Sequence, residues 1–388
     1  MGDGGSTLLT IHSTMLIGPY DWNSERLPQA EFRERIQTLW TGLADRSCAA
    51  AVVYGDSRNH AELGYLSNFV PKLGPAFMFI PRKGEPRLLV SGAPNMLPAA
   101  RRLTWIEKVE PLRDAGKMVL QWINESAGSG ESAARHSIAL IGGDSMRSAL
   151  YRPLVEAFGP ENVPVDVTAS LRTLMRHKRP RELAAMREGC AILTAAKNAL
   201  AEAARSGAGV TAAILEAERS AYHSGAQDVR TLFSLDDGRT LRPFEGPVES
   251  CVDPLQVYIA VRYAGYWVEG FVLVARSPHP PCSQASEALK AVIEIAKDGT
   301  LCRRLVSLAE EKIKPYRSHA MTEGNIGNSI GLFLAEAPQL SGTGDATLEA
   351  GCVYTLRVGA SDGQKRHAIV SAMLAVNQDG NEILWSTN

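Results

Sequence analysis

A single carboxylate, Glu269, stands inside an otherwise apolar ribbon, VYIAVRYAGYWVEG (257–270). A carboxylate so placed can act as a general acid or base, anchor a cationic nitrogen, or form half of a buried ion pair. Burial without a full counter-charge would raise its pKa toward the catalytic range, although purely structural pairs perturb pKa values too. Other reactive side chains show no comparable setting. The six cysteines, at 48, 190, 251, 282, 302 and 352, form no CxxC and no zinc-like spacing with histidine. They are expected to be buried, reduced thiols of a cytosolic protein. Cys282 follows His279-Pro280-Pro281, but a nucleophile needs a base that only the fold can hold in place. His319 is the histidine nearest to GNIGNSIGL; a lone histidine is more often a satisfied core or surface residue than a base. His223 and His367 have no motif around them.

The elements that position Glu269 are legible. The ribbon reads as two strands with Gly265-Tyr266 at the turn. Upstream, Phe32, Ile36, Leu39 and Leu43 repeat at helical spacing, CAAAVVYG (48–55) reads as a buried strand, and AFMFIPRKGEPRLLVSG as a hairpin around residues 82–85. A helix at 94–101, a strand near 104–109, a helix at 113–124, a Gly/Ser loop at 127–131 and a strand at 137–143 complete an alternating α/β region. From Pro180, Leu183, Met186, Cys190 and Leu193 run down one helix face, and Thr211 is the expected N-cap of the next helix. Helices at about 283–297 and 300–313 and strand-rich segments follow, giving an α+β second half with an antiparallel sheet. The expected organisation is an arm (1–28), an α/β domain (29–165), a linker (166–180) and a second domain (181–388).

With 45% apolar and 21% charged residues and a net charge of −1, the composition is that of an ordinary globular protein. No basic block points to nucleic acid, and no window reaches the roughly 18 apolar residues of a membrane span. MGDGGSTLLT lacks a basic stretch followed by an apolar one, so no secretory signal is expected and a cytoplasmic location is.

Six segments in order resemble the creatinase, prolidase and aminopeptidase P group. They are RNHAELGYLSNF, LRTLMRHKRPRELAAMREGCAI, VYIAVRYAGYWVEG, GNSIGLFLAEAP, AGCVYTLRVGA and VSAMLAVNQDGNEIL. The resemblance covers most of residues 30–388. It implies a creatinase-type N-terminal α/β domain followed by a pita-bread domain with a curved antiparallel sheet. Peptidases of this group hold two metal ions with two Asp, one His and two Glu. By resemblance these positions fall on Tyr258, Glu269, Asn328, Arg357 and Ser371, of which only Glu269 is a usual ligand. A guanidinium cannot donate a lone pair and repels a metal. The expectation is therefore no catalytic metal and no cofactor, with Arg357 facing Glu269 in the metals' stead.

Creatinase sets a metal-free precedent in this group, with Glu at the position of Glu269, a His base before the hairpin and a His at the position of Asn328. Here Phe244, in RTLRPFEGP, takes the place of that base, or Glu245 occupies the space. The expected catalytic set is Glu269, Arg357, Asn328 and Tyr258, with Phe244, Arg239, Arg242, Tyr266, Ser371, Glu336 and Lys72 around the substrate. Tyr266 is equally a core or wall residue, and Glu336 a structural one. The resemblance further implies a homodimer in which VPKLGP (70–75), bearing Lys72, lies near the partner's site. Two functions stay open: a metal-independent enzyme doing acid/base chemistry on a small amino-acid-like or amidine-like molecule, or a pseudoenzyme that holds a peptide or metabolite in the old cleft. For the enzyme, C–N bond hydrolysis stands beside isomerisation, cyclisation and elimination.

Overall fold

A computed structural model describes residues 22–46, 48–127, 137–159, 164–363 and 366–387. Residues 1–21 of the expected arm and 128–131 of the Gly/Ser loop lie outside the described residues. The chain divides into two compact units, Met1–Met175 and Arg176–Asn388.

The first unit contains α1 (Gln29–Gly42), β1 (Cys48–Gly55), α2 (Ala61–Ser67), β2 (Ala76–Pro81), β3 (Arg87–Val90), α3 (Leu97–Arg102), β4 (Lys108–Pro111), α4 (Ala115–Ala127), β5 (Ser137–Ile141), α5 (Ser148–Phe158), β6 (Val165–Asp166) and α6 (Thr168–Arg176). Its sheet has the order β4-β3-β2-β1-β5-β6. β1, β2 and β3 run antiparallel, whereas β3–β4, β1–β5 and β5–β6 are parallel. β2 is buried along its whole length, which is why its sequence is apolar throughout rather than alternating. β4 starts at Lys108, later than the expected 104. The Thr104 hydroxyl and the Trp105 indole instead donate to Ser67 O and Leu66 O, at 2.6 and 2.9 Å. Those carbonyls belong to the last turn of α2, whose helix leaves them without partners.

The second unit begins with α7 (Pro180–Arg205), α8 (Val210–His223), β7 (Asp228–Phe233), β8 (Leu255–Tyr263) and β9 (Tyr266–Val274). It continues through α9 (Pro280–Ile295), α10 (Cys302–Lys312), β10 (Arg317–Ser318), β11 (Asn325–Ser329), β12 (Glu336–Ser341), β13 (Val353–Ser361), β14 (His367–Val376) and β15 (Asn381–Ser386). Gly209, not Thr211, is the N-cap of α8. The Thr211 hydroxyl accepts the Val248 amide at 2.6 Å instead. β7, β8 and β9 form one antiparallel sheet; the other has the order β12-β11-β13-β14-β15, with β10 on β13.

The two-residue period of the strands separates core from site. On β13 and β14, Tyr354, Leu356, Val358, Val370, Ala372 and Leu374 pack with α9 and α10 in one buried cluster. Thr355, Arg357, Ser371 and Met373 belong to the opposite face, which turns to β9. Of the cysteines, Cys251 is exposed and Cys282 half-buried, against the expectation for both; the other four are buried thiols. Among the described residues no helix is long and apolar enough to cross a membrane.

Candidate functional site

The β8–β9 turn is Ala264-Gly265, one residue earlier than the sequence suggests, and both residues have positive φ (48° and 88°). That conformation suits a two-residue hairpin loop, and glycine adopts it without strain. The turn fixes the register: Tyr258 faces Phe271 and Ala260 faces Glu269. Tyr258 and Glu269 are thus diagonal neighbours on one face, and the Tyr258 hydroxyl donates to Glu269 Oε2 at 2.5 Å. Side chains of the other sheet hold β9 in place. Ser371 Oγ accepts the Phe271 amide at 2.7 Å, and Met373 Sδ accepts that of Glu269 at 3.3 Å. Gly270 makes room for the Trp385 ring, whose nearest carbon would lie 2.3 Å from an added Cβ.

Arg357 reaches Glu269 from β13. Its Nη1 lies 4.0 Å from Glu269 Oε1, and its Nη2 donates to Asn328 Oδ1 at 3.4 Å. Asn328 is fixed by donating its own amide to Ser329 O and Leu334 O, at 2.8 and 3.0 Å. The neighbouring Gly327 lets β11 approach β13 closely, since a Cβ there would lie 1.9 Å from Thr355 O. The result is a chain of four groups: phenol, carboxylate, guanidinium and amide.

The cluster is largely buried but incompletely paired. Glu269 is 4% exposed, and the Arg357 side chain 22%. Arg357 Nε is buried without a hydrogen-bond partner; Glu269 Oε1 and Thr355 Oγ1 are buried without a well-formed hydrogen bond, although the Thr355 hydroxyl is close enough to act on the carboxylate. Polar atoms in that state are rare in folded proteins. Burial raises the Glu269 pKa, and the Tyr258 hydroxyl, the Arg357 charge and the Thr355 hydroxyl only partly oppose it. Burial and the adjacent carboxylate push the Tyr258 phenol well up. A proton between these two groups is therefore held on Tyr258 while Glu269 accepts.

Of the expected set, the structure brings together Tyr258, Glu269, Arg357 and Asn328. Ser371 is opposite Arg357 in the ladder, but its hydroxyl is taken up by the Phe271 amide. Tyr266 is not in the cluster: it is buried and donates to Glu182 Oε1 at 2.8 Å, tying the hairpin to α7. Its position on β9 is odd by three from Glu269, which puts it on the other face. Glu336 is held by Lys178 at 2.9 Å and by the Phe333 amide, a structural ion pair. Phe244 is exposed and leans on Phe233, with ring centroids 6.1 Å apart. Arg239, Arg242 and Glu245 are exposed on the same loop. His319 is buried with Nε2 on Gly238 O at 3.0 Å, in contact with this loop, and burial lowers its pKa. Lys72 is half-buried in the first unit, in an apolar pocket lined by Phe69, Val90, Met96 and Leu103.

Two residues were missed in the sequence. Thr355 shares the face of Arg357 two positions away, so the strand period could have found it. Arg230 on β7 faces Ala260, which in turn faces Glu269. Its guanidinium stacks 4.6 Å from the Trp267 ring centroid and its charge acts on Tyr258. The sequence DVRTLF carries no sign of this role.

Comparison with known proteins bears on this arrangement. The chain is similar in structure to X-Pro aminopeptidase from Thermotoga maritima MSB8, with a TM-score of 0.73, 18% identity, and 90% of this chain and 96% of that one covered. It is similar to the prolidase from Pyrococcus horikoshii OT3, with a TM-score of 0.70, 18% identity, and 92% and 98% covered. For the Xaa-Pro dipeptidase from Bacillus anthracis the values are 0.67, 18%, 91% and 97%. No curated protein matches significantly. These structures share the two-part fold: an α/β unit with a mixed sheet, then a pita-bread unit built on antiparallel sheets. The sequence profile of metallopeptidase family M24 matches residues 184–377, which include β8, β9, β11, β13 and β14. On that match over half its length, and on the fold, the chain belongs to metallopeptidase family M24.

Proposed function

We propose that this chain is a metal-independent enzyme of the M24 scaffold, acting by proton transfer on a small amino-acid-like or amidine-like molecule. One observation carries the reading: a permanent cation, Arg357, points its nitrogens at Glu269 (4.0 Å) and Asn328 (3.4 Å). The donor set there is one carboxylate, a phenol, an amide and hydroxyls. Dinuclear hydrolase sites depend on several carboxylates and imidazole, and a guanidinium would repel the ions. These residues do not fit a two-metal centre. Among the described residues, the one trio of His, Cys, Asp or Glu that converges closely enough for an ion is His177, Glu349 and Cys352, which does not include Glu269.

The chemistry follows from the unpaired atoms. An anionic group of the substrate would lie against Arg357, satisfying Nε, while Oε1 of Glu269 and the Thr355 hydroxyl take its polar neighbours. Glu269, with its raised pKa, is suited to accept a proton and return it. In C–N hydrolysis, Glu269 would remove a proton from the attacking water. The hydroxyl adds to carbon, the same proton passes to the nitrogen, and the C–N bond breaks to release the amine. Tyr258 holds the carboxylate's orientation through its 2.5 Å hydrogen bond. Arg230, stacked on Trp267 and ion-paired with Asp228 at 3.3 Å, lies on this face of the sheet and acts on Tyr258. The resemblance also has the protein act as a homodimer, and its mass in solution would test that.

A second reading has a specific observation behind it. Asn328 and Ser371 spend polar atoms on backbone groups, as residues of a binding cleft without chemistry would. Thermal shift against amino acids, guanidino compounds and their N-acyl derivatives, followed by mass spectrometry of each hit, separates the two. A ligand that binds the folded state raises its melting temperature. The proposal expects a hit that is converted by the wild type and not by Glu269→Gln. Stabilisation without conversion supports the binder, and conversion that needs added Mn²⁺ overturns the metal-free reading.

A further inference from the structure

We propose a second polar site, apart from the cleft: a binding site for a thiophilic divalent cation, of the Zn²⁺ class, made by His177, Glu349 and Cys352. One ligand atom of each residue lies within 4.8 Å of the others. His177 Nε2 and Glu349 Oε2 are 3.4 Å apart. Tetrahedral coordination at about 2.0–2.3 Å sets donor atoms roughly 3.3–3.8 Å apart. The imidazole and carboxylate are therefore already at ligand spacing, and the thiol has at most about 1 Å to close.

The frame beneath the three side chains is rigid. His177 and Cys352 face each other in an antiparallel bridge, and the Lys178 amide donates to Gly351 O at 2.8 Å. The turn between Glu349 and Cys352 is closed by the Cys352 amide on Glu349 O (3.2 Å) and the Glu349 amide on the Tyr354 hydroxyl (3.0 Å). Gly351 and Val376 extend the stitching to β14, with Gly351 N on Val376 O at 2.8 Å. Cys352 forms the buried floor, while His177 is exposed and Glu349 half-buried, so an ion has an entry side and an open position for water.

Two features oppose the ion. Arg176 Nη1 holds Glu349 Oε1 at 3.0 Å, which leaves Oε2 to coordinate. Burial pushes the Cys352 thiol up to about 11. Binding must therefore displace its proton, one leaving to solvent for each ion taken up. A soft cation suits this set, because thiolate and imidazole together select Zn²⁺ or Co²⁺ over Mg²⁺ or Mn²⁺. The trio shares no residue with the Tyr258–Glu269–Arg357 cluster, so this inference stands apart from the proposed activity.

The test is titration of the full chain with Co²⁺ and Zn²⁺. Co²⁺ should produce a thiolate-to-metal charge-transfer band and the strong visible bands of a four-coordinate ion, with one equivalent bound. Cys352→Ser should abolish the charge-transfer band, and His177→Ala should weaken Zn²⁺ binding at least tenfold. Arg176→Ala, which frees Glu349, should bind as tightly as wild type or tighter; this variant keeps all three donors, so it guards against loss by misfolding. Glu269→Gln should leave the titration unchanged. Binding without a thiolate band, equal binding by Cys352→Ser, or no binding by wild type and Arg176→Ala alike would overturn the site.

Discussion

Arg357→Met removes the cation beside Glu269 while keeping most of the stem volume. At an effective dielectric of about 20, unit charges 4.0 Å apart attract by about 4 kcal/mol. The guanidinium is 22% exposed and makes no hydrogen bond to Oε1, which brings the expected loss to about 2 kcal/mol. For a unit of this size that lowers the melting temperature by about 4–8 °C. The loss has a pH signature. Glu269 holds its proton more tightly in the folded chain than in the unfolded one, because burial raises its pKa. That contribution is full below about pH 4, where the unfolded carboxyl titrates, and is lost as the pH rises through the raised native value. Arg357 opposes the loss by stabilising the ionised form. Arg357→Met should therefore melt close to wild type at about pH 4.5 and well below it at about pH 8. Paired with Glu269→Gln in a double-mutant cycle by calorimetry, the two should show about 2 kcal/mol of coupling at the higher pH. An equal deficit at both pH values, or no coupling, would refute the reading that these charges face each other across a largely buried gap.

Three further outcomes follow from the geometry. Tyr258→Phe leaves Glu269 Oε2 without its donor; chemical denaturation should show a loss of about 1–3 kcal/mol, larger at pH 8 than at pH 5. Lys178→Met leaves the half-buried Glu336 carboxylate with the Phe333 amide but no counter-charge; the expected loss is about 2–3 kcal/mol, mostly recovered in Lys178→Met/Glu336→Gln. Without that recovery the pair is not the reason for the loss. Gly327→Ala meets Thr355 O and should cost more than about 2 kcal/mol in thermal unfolding, whereas a neutral effect would mean β11 is not pressed against β13 as described.

Much of the fold was legible because its signals are local. Burial made CAAAVVYG and AFMFIP apolar, and Pro180 marked the start of α7. The misplacements arose where a distant partner decides. Residues 104–106 turn to the last carbonyls of α2 instead of joining a ladder, and Thr211 prefers the Val248 amide to capping α8. In the site, Tyr258, Glu269, Asn328 and Arg357 were found through motif positions, and so was the facing of Arg357 to Glu269; the Tyr258 bond to Glu269 and the Arg357 bond to Asn328 were not readable. Whether two charges on separate strands touch depends on register and on the packing of β9 against β14. Arg230 was invisible for the same reason: only the sheet puts it in line with Glu269.

The central claim is that an organic cation stands where this family seats its metals. The measurement is the metal content of the Cys352→Ser chain, in which the separate thiol-bearing trio is disabled, after loading with Mn²⁺ or Co²⁺ and desalting. The account expects less than a tenth of an equivalent, and a melting temperature unmoved by chelators. One or two equivalents retained by this chain and lost in Glu269→Gln would contradict it.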